Sequence, residues 1–150
     1  MIRISRTDSA DKDFLSLVTL LDNELWQRYP EIQHQYEEHS KINFIKTVIL
    51  VYDDNTPLAC GCFLIREADT IEIKRMYVHH RHRRKGLSKI VLKELEQWAA
   101  ELGYKTSILE TGKNQPEAIN LYKISGYRLT ASYGVYKNLH DSLCFAKTLS

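Results

Sequence analysis

The stretch from Glu72 to Leu102, EIKRMYVHHRHRRKGLSKIVLKELEQWAAEL, constrains the fold more than any other part of the chain. Ile71 to Val78 reads as a buried strand, His79 to Lys85 as a basic loop, Gly86 as a break, and the remainder as a long amphipathic helix. Leu87, Ile90, Val91, Leu95, Trp98 and Leu102 recur at the spacing that gathers side chains on one face at 3.6 residues per turn. A core must lie under that face.

The start of this helix favours an anion. The first backbone N–H groups of a helix have no internal partner, and the macrodipole adds partial positive charge there. Arg81, Arg83, Arg84 and Lys85 surround them with full charges. Gly86 has no side chain to keep a ligand off the backbone. A phosphate-bearing ligand fits such a place, but neither GxxxxGK[ST] nor a GxGxxG after a strand is present, so two common phosphate fingerprints fail.

The chain has 150 residues, which suits one domain over 1–150 with a full core. The net charge is only +2, and the cations concentrate in the one loop, which argues for a local anion site and against a nucleic-acid coat. No window of 18 apolar residues exists, and MIRISRTDSADKDF has no apolar run behind its charges. The expectation is a cytoplasmic protein with no membrane contact. Cys60, Cys62 and Cys144 are odd in number, do not form a disulfide framework, and suit a reducing compartment.

Taken in order, Met1 to Ser5 alternates as a short strand. Asp8 or Ser9 can cap a helix with Phe14, Leu17, Val18, Leu21 and Leu25 as its stripe and Pro30 at its end. Glu31 to Ser40 reads as a second helix or a mobile loop. Thr47 to Tyr52, Leu58 to Arg66 and Ile71 to Val78 are three strands joined by short turns, hence an antiparallel meander. After the central helix come a strand from Ser107 to Glu110 and a helix from Pro116 to about Ser125, with proline just inside its start and Gly126 just past its end. Tyr127 to Ala131 and Leu143 to Thr148 close the chain as strands, separated by the aromatic loop from Tyr133 to Tyr136. This order predicts a mixed α/β (α+β) sheet.

Arg83-Arg84-Lys85-Gly86-Leu87-Ser88 resembles the Arg/Gln-x-x-Gly-x-Gly/Ala loop of the GNAT superfamily of acyl-CoA-dependent N-acetyltransferases, with Ser88 in place of the last small residue. Leu109-Glu110-Thr111-Gly112, Gln115-Pro116-Glu117-Ala118-Ile119, Leu121-Tyr122 and Gly126-Tyr127 resemble the second half of that family's acyl-CoA site. The likeness runs from about Cys60 to Lys147. EIKRMYV, LETG, QPEAI and SLCFAK are similar to a bacterial branch described only as acetyltransferases, without a substrate.

The resemblance implies a single-domain GNAT-like fold: a central mixed, mostly antiparallel sheet flanked by helices, with a splay between strands four and five. It implies acetyl-CoA as co-substrate and no metal. Met76 and Val78 would offer backbone groups to the pantetheine arm and thioester carbonyl, with Tyr77 between them. Arg83, Arg84, Lys85, Gly86, Leu87 and Ser88 would bind the pyrophosphate through backbone N–H groups. Gln115 stands where many members present an asparagine to the cofactor, and Ala118 lies in the same segment. Tyr122 would be the general acid near the sulfur, and Glu72 occupies a strand position where some members carry a general base.

Acetyl transfer needs a neutral amine, while an aliphatic ammonium has a pKa near ~10.4. A carboxylate that takes the proton removes that barrier, and Glu72 and Glu110 are the candidates. Period-two alternation puts Glu72, Lys74, Met76 and Val78 on one face of their strand. Each assignment has a plainer rival: Tyr122 as the edge of a core helix, Glu72 as a solvated strand charge, Cys60 and Cys62 as small core residues on one face, and His79, His80 and His82 as a solvated loop without zinc. The expected function is direct transfer from acetyl-CoA to a primary amine of a small molecule or peptide. A non-catalytic acyl-CoA sensor is the alternative, polyanion binding by the loop a weaker one, and a homodimer is possible. Acceptor contacts are expected from the N-terminal helices, including Tyr29 and Tyr36, and from the Tyr133 to Tyr136 loop.

Overall fold

The computed structural model describes residues 1–28, 44–134 and 141–149. The expected segment from Glu31 to Ser40, and Tyr29, Pro30, Tyr36 and Tyr136, lie outside them. Seven strands form one sheet: β1 (Ile2–Thr7), β2 (Val48–Asp53), β3 (Thr56–Glu67), β4 (Thr70–Val78), β5 (Thr106–Gly112), β6 (Arg128–Thr130) and β7 (Ser142–Thr148), in the spatial order β1-β2-β3-β4-β5-β7-β6. Among the described residues only β4 and β5 pair in parallel, so the sheet is mixed and mostly antiparallel, as expected. The described helices are α1 (Lys12–Arg28), α2 (Leu87–Glu101) and α3 (Pro116–Ile124).

Both faces of the sheet are covered, which explains why β2 reads as a nearly continuous apolar run. Ile49, Val51, Phe63, Ile71, Ile73, Leu109 and Phe145 pack beneath α2, with Tyr122 of α3 and Tyr127 in the same cluster. Val48, Leu50, Tyr52, Cys60, Cys62 and Tyr77 meet Phe14 and Leu17 of α1 on the other face. The α2 stripe shifts slightly from expectation: Leu92 and Ala99 are buried, while Leu102 sits past the last turn, 56% exposed.

The cap of α1 is also displaced. Asp11 accepts a hydrogen bond from the Asp13 N–H at 2.9 Å and so serves as the N-cap. Asp8 instead accepts from the Ala10 N–H in the preceding turn, and the Ser9 hydroxyl accepts from the Ile45 N–H, tying the turn to the chain before β2.

A β-bulge in β4 overturns the expected face sharing. Cys62 pairs with Lys74 and Cys60 with Tyr77, so Arg75 and Met76 together oppose Gly61, and Arg75 takes a left-handed backbone with φ 60°. Alternation reverses at that point. Glu72 and Lys74 face α1, whereas Met76 and Val78 join the cluster under α2. A Cβ on Gly61 would lie 2.7 Å from both Met76 Sδ and Val91 Cγ1, so the glycine makes room for Met76. The thiols of Cys60 and Cys62 donate to the carbonyls of Arg75 and Lys74, each at 3.3 Å.

Candidate active site

The parallel pairing of β4 with β5 runs from Thr70 opposite Thr106 to Ile73 opposite Leu109 and stops. Beyond it the strands diverge, and a cleft of about 1230 Å³ opens between the end of β4, the start of α2, the end of β5, α3 and the second half of α1. Glu72, Met76, Tyr77, Val78, Arg83, Arg84, Gly86, Leu87, Ser88, Glu110, Gln115, Ala118 and Tyr122 all line it. Lys85 does not; it is exposed, and its Nζ lies 3.4 Å from His82 Nδ1.

At the helix start, Gly86 is the N-cap of α2 with φ 80° and no side-chain cap bond. A Cβ there would meet nothing within 4 Å, so the backbone of the first turn faces open space. Arg84 and Lys89 flank it as exposed cations. Gln115 caps α3 without spending its side chain on the helix, which leaves the amide to the cleft.

Arg83 does something the sequence did not reveal. Its Nε donates to the Val78 carbonyl at 3.0 Å, and its two terminal nitrogens donate to both carboxylate oxygens of Glu24 at 2.8 and 2.7 Å. The guanidinium also lies over the Tyr77 ring, 5.4 Å from its centroid. Arg75 reaches Asp22 at 3.0 Å. Asp22 and Glu24 both lie in the second half of α1, and no motif in the sequence marks either.

The two candidate carboxylates have different surroundings. Glu72 is buried, only 1% exposed, with Arg66 Nε 3.3 Å from Oε1 and Lys74 Nζ 3.8 Å from Oε2. The Tyr133 hydroxyl donates to Oε2 at 3.4 Å. Glu110 is half-buried as a residue, yet its Oε2 is closed to solvent and has no hydrogen-bond partner. Burial pushes its carboxyl up to about 7, with the nearby Glu72 charge adding to that and the Ser142 hydrogen bond and Lys74 opposing it.

Tyr122 is 5% exposed, its ring set against Tyr127 and Phe145. Burial, and then Glu110, raise its hydroxyl pKa well above the ordinary tyrosine value, so it stays protonated. Cys60 and Cys62 are fully buried; burial pushes Cys62 up to about 12, so both are core residues, not nucleophiles. In the basic loop His79 stacks on His80 at 4.5 Å, and its Nδ1 accepts from the Arg81 N–H. Among the described residues no three His, Cys, Asp or Glu side chains come together as a metal-holding group, and no helix is long and apolar enough to cross a membrane.

Residues 12–127 match the model of the acetyltransferase (GNAT) family. The chain is 33% identical over 112 residues to a probable N-acetyltransferase of Xenopus tropicalis, covering 73% of this chain and 52% of that protein. A fission-yeast N-acetyltransferase (Schizosaccharomyces pombe), 32% identical over 89 residues, is covered to 55%, so the chain spans about half the length of these relatives. An IAA acetyltransferase of Azospirillum brasilense is 26% identical, with 90% of each chain covered. Among solved structures, a proposed acyl-CoA N-acyltransferase of Klebsiella pneumoniae superposes with TM-score 0.82 at 26% identity over 100% of this chain and 99% of that one. A GNAT acetyltransferase of Elizabethkingia anophelis with acetyl-CoA bound has the same fold at TM-score 0.72 and 20% identity, covering 99% of this chain and 98% of that one. The splay between β4 and β5, the glycine-opened helix start beside it and the family match over most of the chain lead to one conclusion: this chain belongs to the GNAT acetyltransferase family.

Proposed function

We propose that the protein is an N-acetyltransferase that moves the acetyl group of acetyl-CoA directly to a primary amine of a small molecule or peptide. The observation that carries this reading is the end of β4–β5 pairing after Ile73 and Leu109, which opens a passage between the two faces of the sheet beside the free helix start at Gly86. The residues present fit the cofactor. The N–H groups at the start of α2 suit a pyrophosphate, with Arg84 and Lys89 as surrounding charge, and the edge of β4 at Met76 to Val78, where β5 no longer pairs and Arg83 takes the Val78 carbonyl, suits the amide-bearing pantetheine arm. Gln115 and Ala118 border the same arm from α3. The three cysteines are free and buried, in keeping with a cytoplasmic place for the protein.

Of the two carboxylates, Glu110 is assigned as the general base. A carboxyl near 7 can take a proton at neutral pH without being a negligible base, whereas Glu72 is already engaged by two cations. Glu72, held among Arg66, Lys74 and Tyr133, orients the acceptor side instead. In the transfer the amine nitrogen bonds to the thioester carbon as the C–S bond breaks. Glu110 receives the amine proton, and Tyr122 gives its hydroxyl proton to the leaving sulfur.

Calorimetric titration with acetyl-CoA and coenzyme A, on the native protein and on Gly86→Trp, tests the cofactor assignment. Micromolar binding that the variant loses supports it; no heat with either ligand overturns it. An amine panel monitored by release of free thiol then tests turnover, and binding without turnover on any amine would make the protein a sensor of its ligand.

A further inference from the structure

Arg83 is the first residue of the phosphate-binding loop, yet its side chain turns to α1. Three features of that contact point the same way. The guanidinium engages both oxygens of Glu24, the fork-to-fork geometry that holds an arginine in one orientation. Its third donor goes to the carbonyl of Val78, the last residue of β4. Its face lies over Tyr77, the residue before. One side chain therefore joins the end of the splayed strand, the start of the loop and a helix 59 residues earlier in the chain.

We infer that the Glu24–Arg83 pair is a positioning device for acetyl-CoA: α1 fixes the end of β4 and the loop before Gly86 in the geometry that receives the pantetheine and pyrophosphate, and the Arg83 side chain is not a phosphate ligand. The inference rests on the acetyl-CoA reading of the cleft. Burial and neighbours support it physically, because the two side chains keep only 34% and 28% of their exposure and the pair is correspondingly little screened. Its consequence is that Glu24, an anion, strengthens the binding of a polyanion.

That sign makes the test decisive. Dissociation constants for acetyl-CoA are measured for the native protein, Glu24→Gln, Arg83→Gln and the double variant at low and high salt, with melting temperature beside them, and KM and kcat on any amine found active. The expected result is that Glu24→Gln weakens binding about tenfold, about 1.4 kcal/mol. The double variant should be no weaker than either single one, since the residues act as a unit. KM for acetyl-CoA should rise with kcat within about twofold, and the salt dependence should match that of the native protein, because no phosphate contact is lost. If Glu24→Gln binds acetyl-CoA as tightly as the native protein or more tightly, while Arg83→Gln weakens it and flattens the salt dependence, Arg83 contacts phosphate and the inference is overturned. Should Arg83→Gln fail to fold, Glu24→Gln alone decides. A native protein that binds no acetyl-CoA removes the cofactor reading first, and this inference falls with it.

Discussion

Replacing Glu110 by glutamine should abolish transfer and make the protein more stable, in a way that pH controls. The carboxyl has an ordinary value of 4.5 and stands at about 7 in the fold, with burial as the main cause. The neutral form is therefore preferred by the folded state. Between pH 4.5 and 7 the unfolded chain has lost the proton and the folded chain has kept it, so stability falls as pH rises through that window and levels off above it. A shift of about 2.5 units at 1.36 kcal/mol each costs about 3 kcal/mol at pH 8 relative to pH 4. Glutamine is never charged and can still pair with Ser142, so Glu110→Gln should recover about 2–3 kcal/mol at pH 8 and almost nothing near pH 4.5. For a chain of this size that is roughly 5–10 °C in melting temperature at pH 8. Urea or thermal unfolding of both proteins without ligand at the two pH values measures it. A variant less stable than the native protein at pH 8, or one whose stability difference does not change with pH, would refute the buried, raised carboxyl and with it the assignment of Glu110 as base.

Tyr122→Phe removes a proton donor but keeps the ring against Tyr127 and Phe145, so kcat should fall about a hundredfold or more while acetyl-CoA affinity stays within a fewfold; unchanged kcat would assign the leaving-group proton to another source. Gly61→Val forces a branched side chain into Met76 and Val91 and should cost about 1–3 kcal/mol in urea unfolding. A neutral effect would mean that Met76 has no fixed place under the bulge. Cys62→Ala leaves the Lys74 carbonyl without its thiol donor in a buried setting and should destabilise by about 1–2 kcal/mol beyond the loss of packing. If Cys62→Ala costs no more than Cys144→Ala, the thiol contact contributes nothing.

The helix start at Gly86 was readable because its causes are local: a glycine, an apolar helical stripe and adjacent cations sit within a few residues. Pro116 and Gly126 bracketed α3 for the same reason. What escaped reading depends on partners distant in sequence. Arg75 carries no sign that it occupies a left-handed bulge, since glycine or asparagine is the usual marker of that conformation. Without the bulge, alternation puts Glu72 on the face of Met76, and that inference fails at one residue. The destination of Arg83 is set by Glu24, and the pairing of Glu72 by Arg66 and Tyr133, none of which a motif announces. Two strand carboxylates thus read as equal candidates, although one is ion-paired with Arg66 and Lys74 and the other is hydrogen-bonded by Ser142 and raised by burial.

The sheet sets the proposed acid and base on opposite faces. Tyr122 belongs to the cluster under α2, together with Leu109, whereas Glu110, the next residue along unbulged β5, points to the face of α1. The amine and the sulfur would then be served from opposite faces, and the passage between them exists because β4 leaves β5 after Ile73. A slip of β5 by one residue would exchange Glu110 for Leu109 or Thr111 and place the carboxyl on the cofactor side. Past Leu109 β4 no longer holds that register, but β7 does, through pairs that run from Thr106 with Thr148 to Gly112 with Ser142. Ser142 also hydrogen-bonds the Glu110 carboxyl. β7, which carries neither proposed proton-transfer group, is therefore the strand that fixes which face the base occupies.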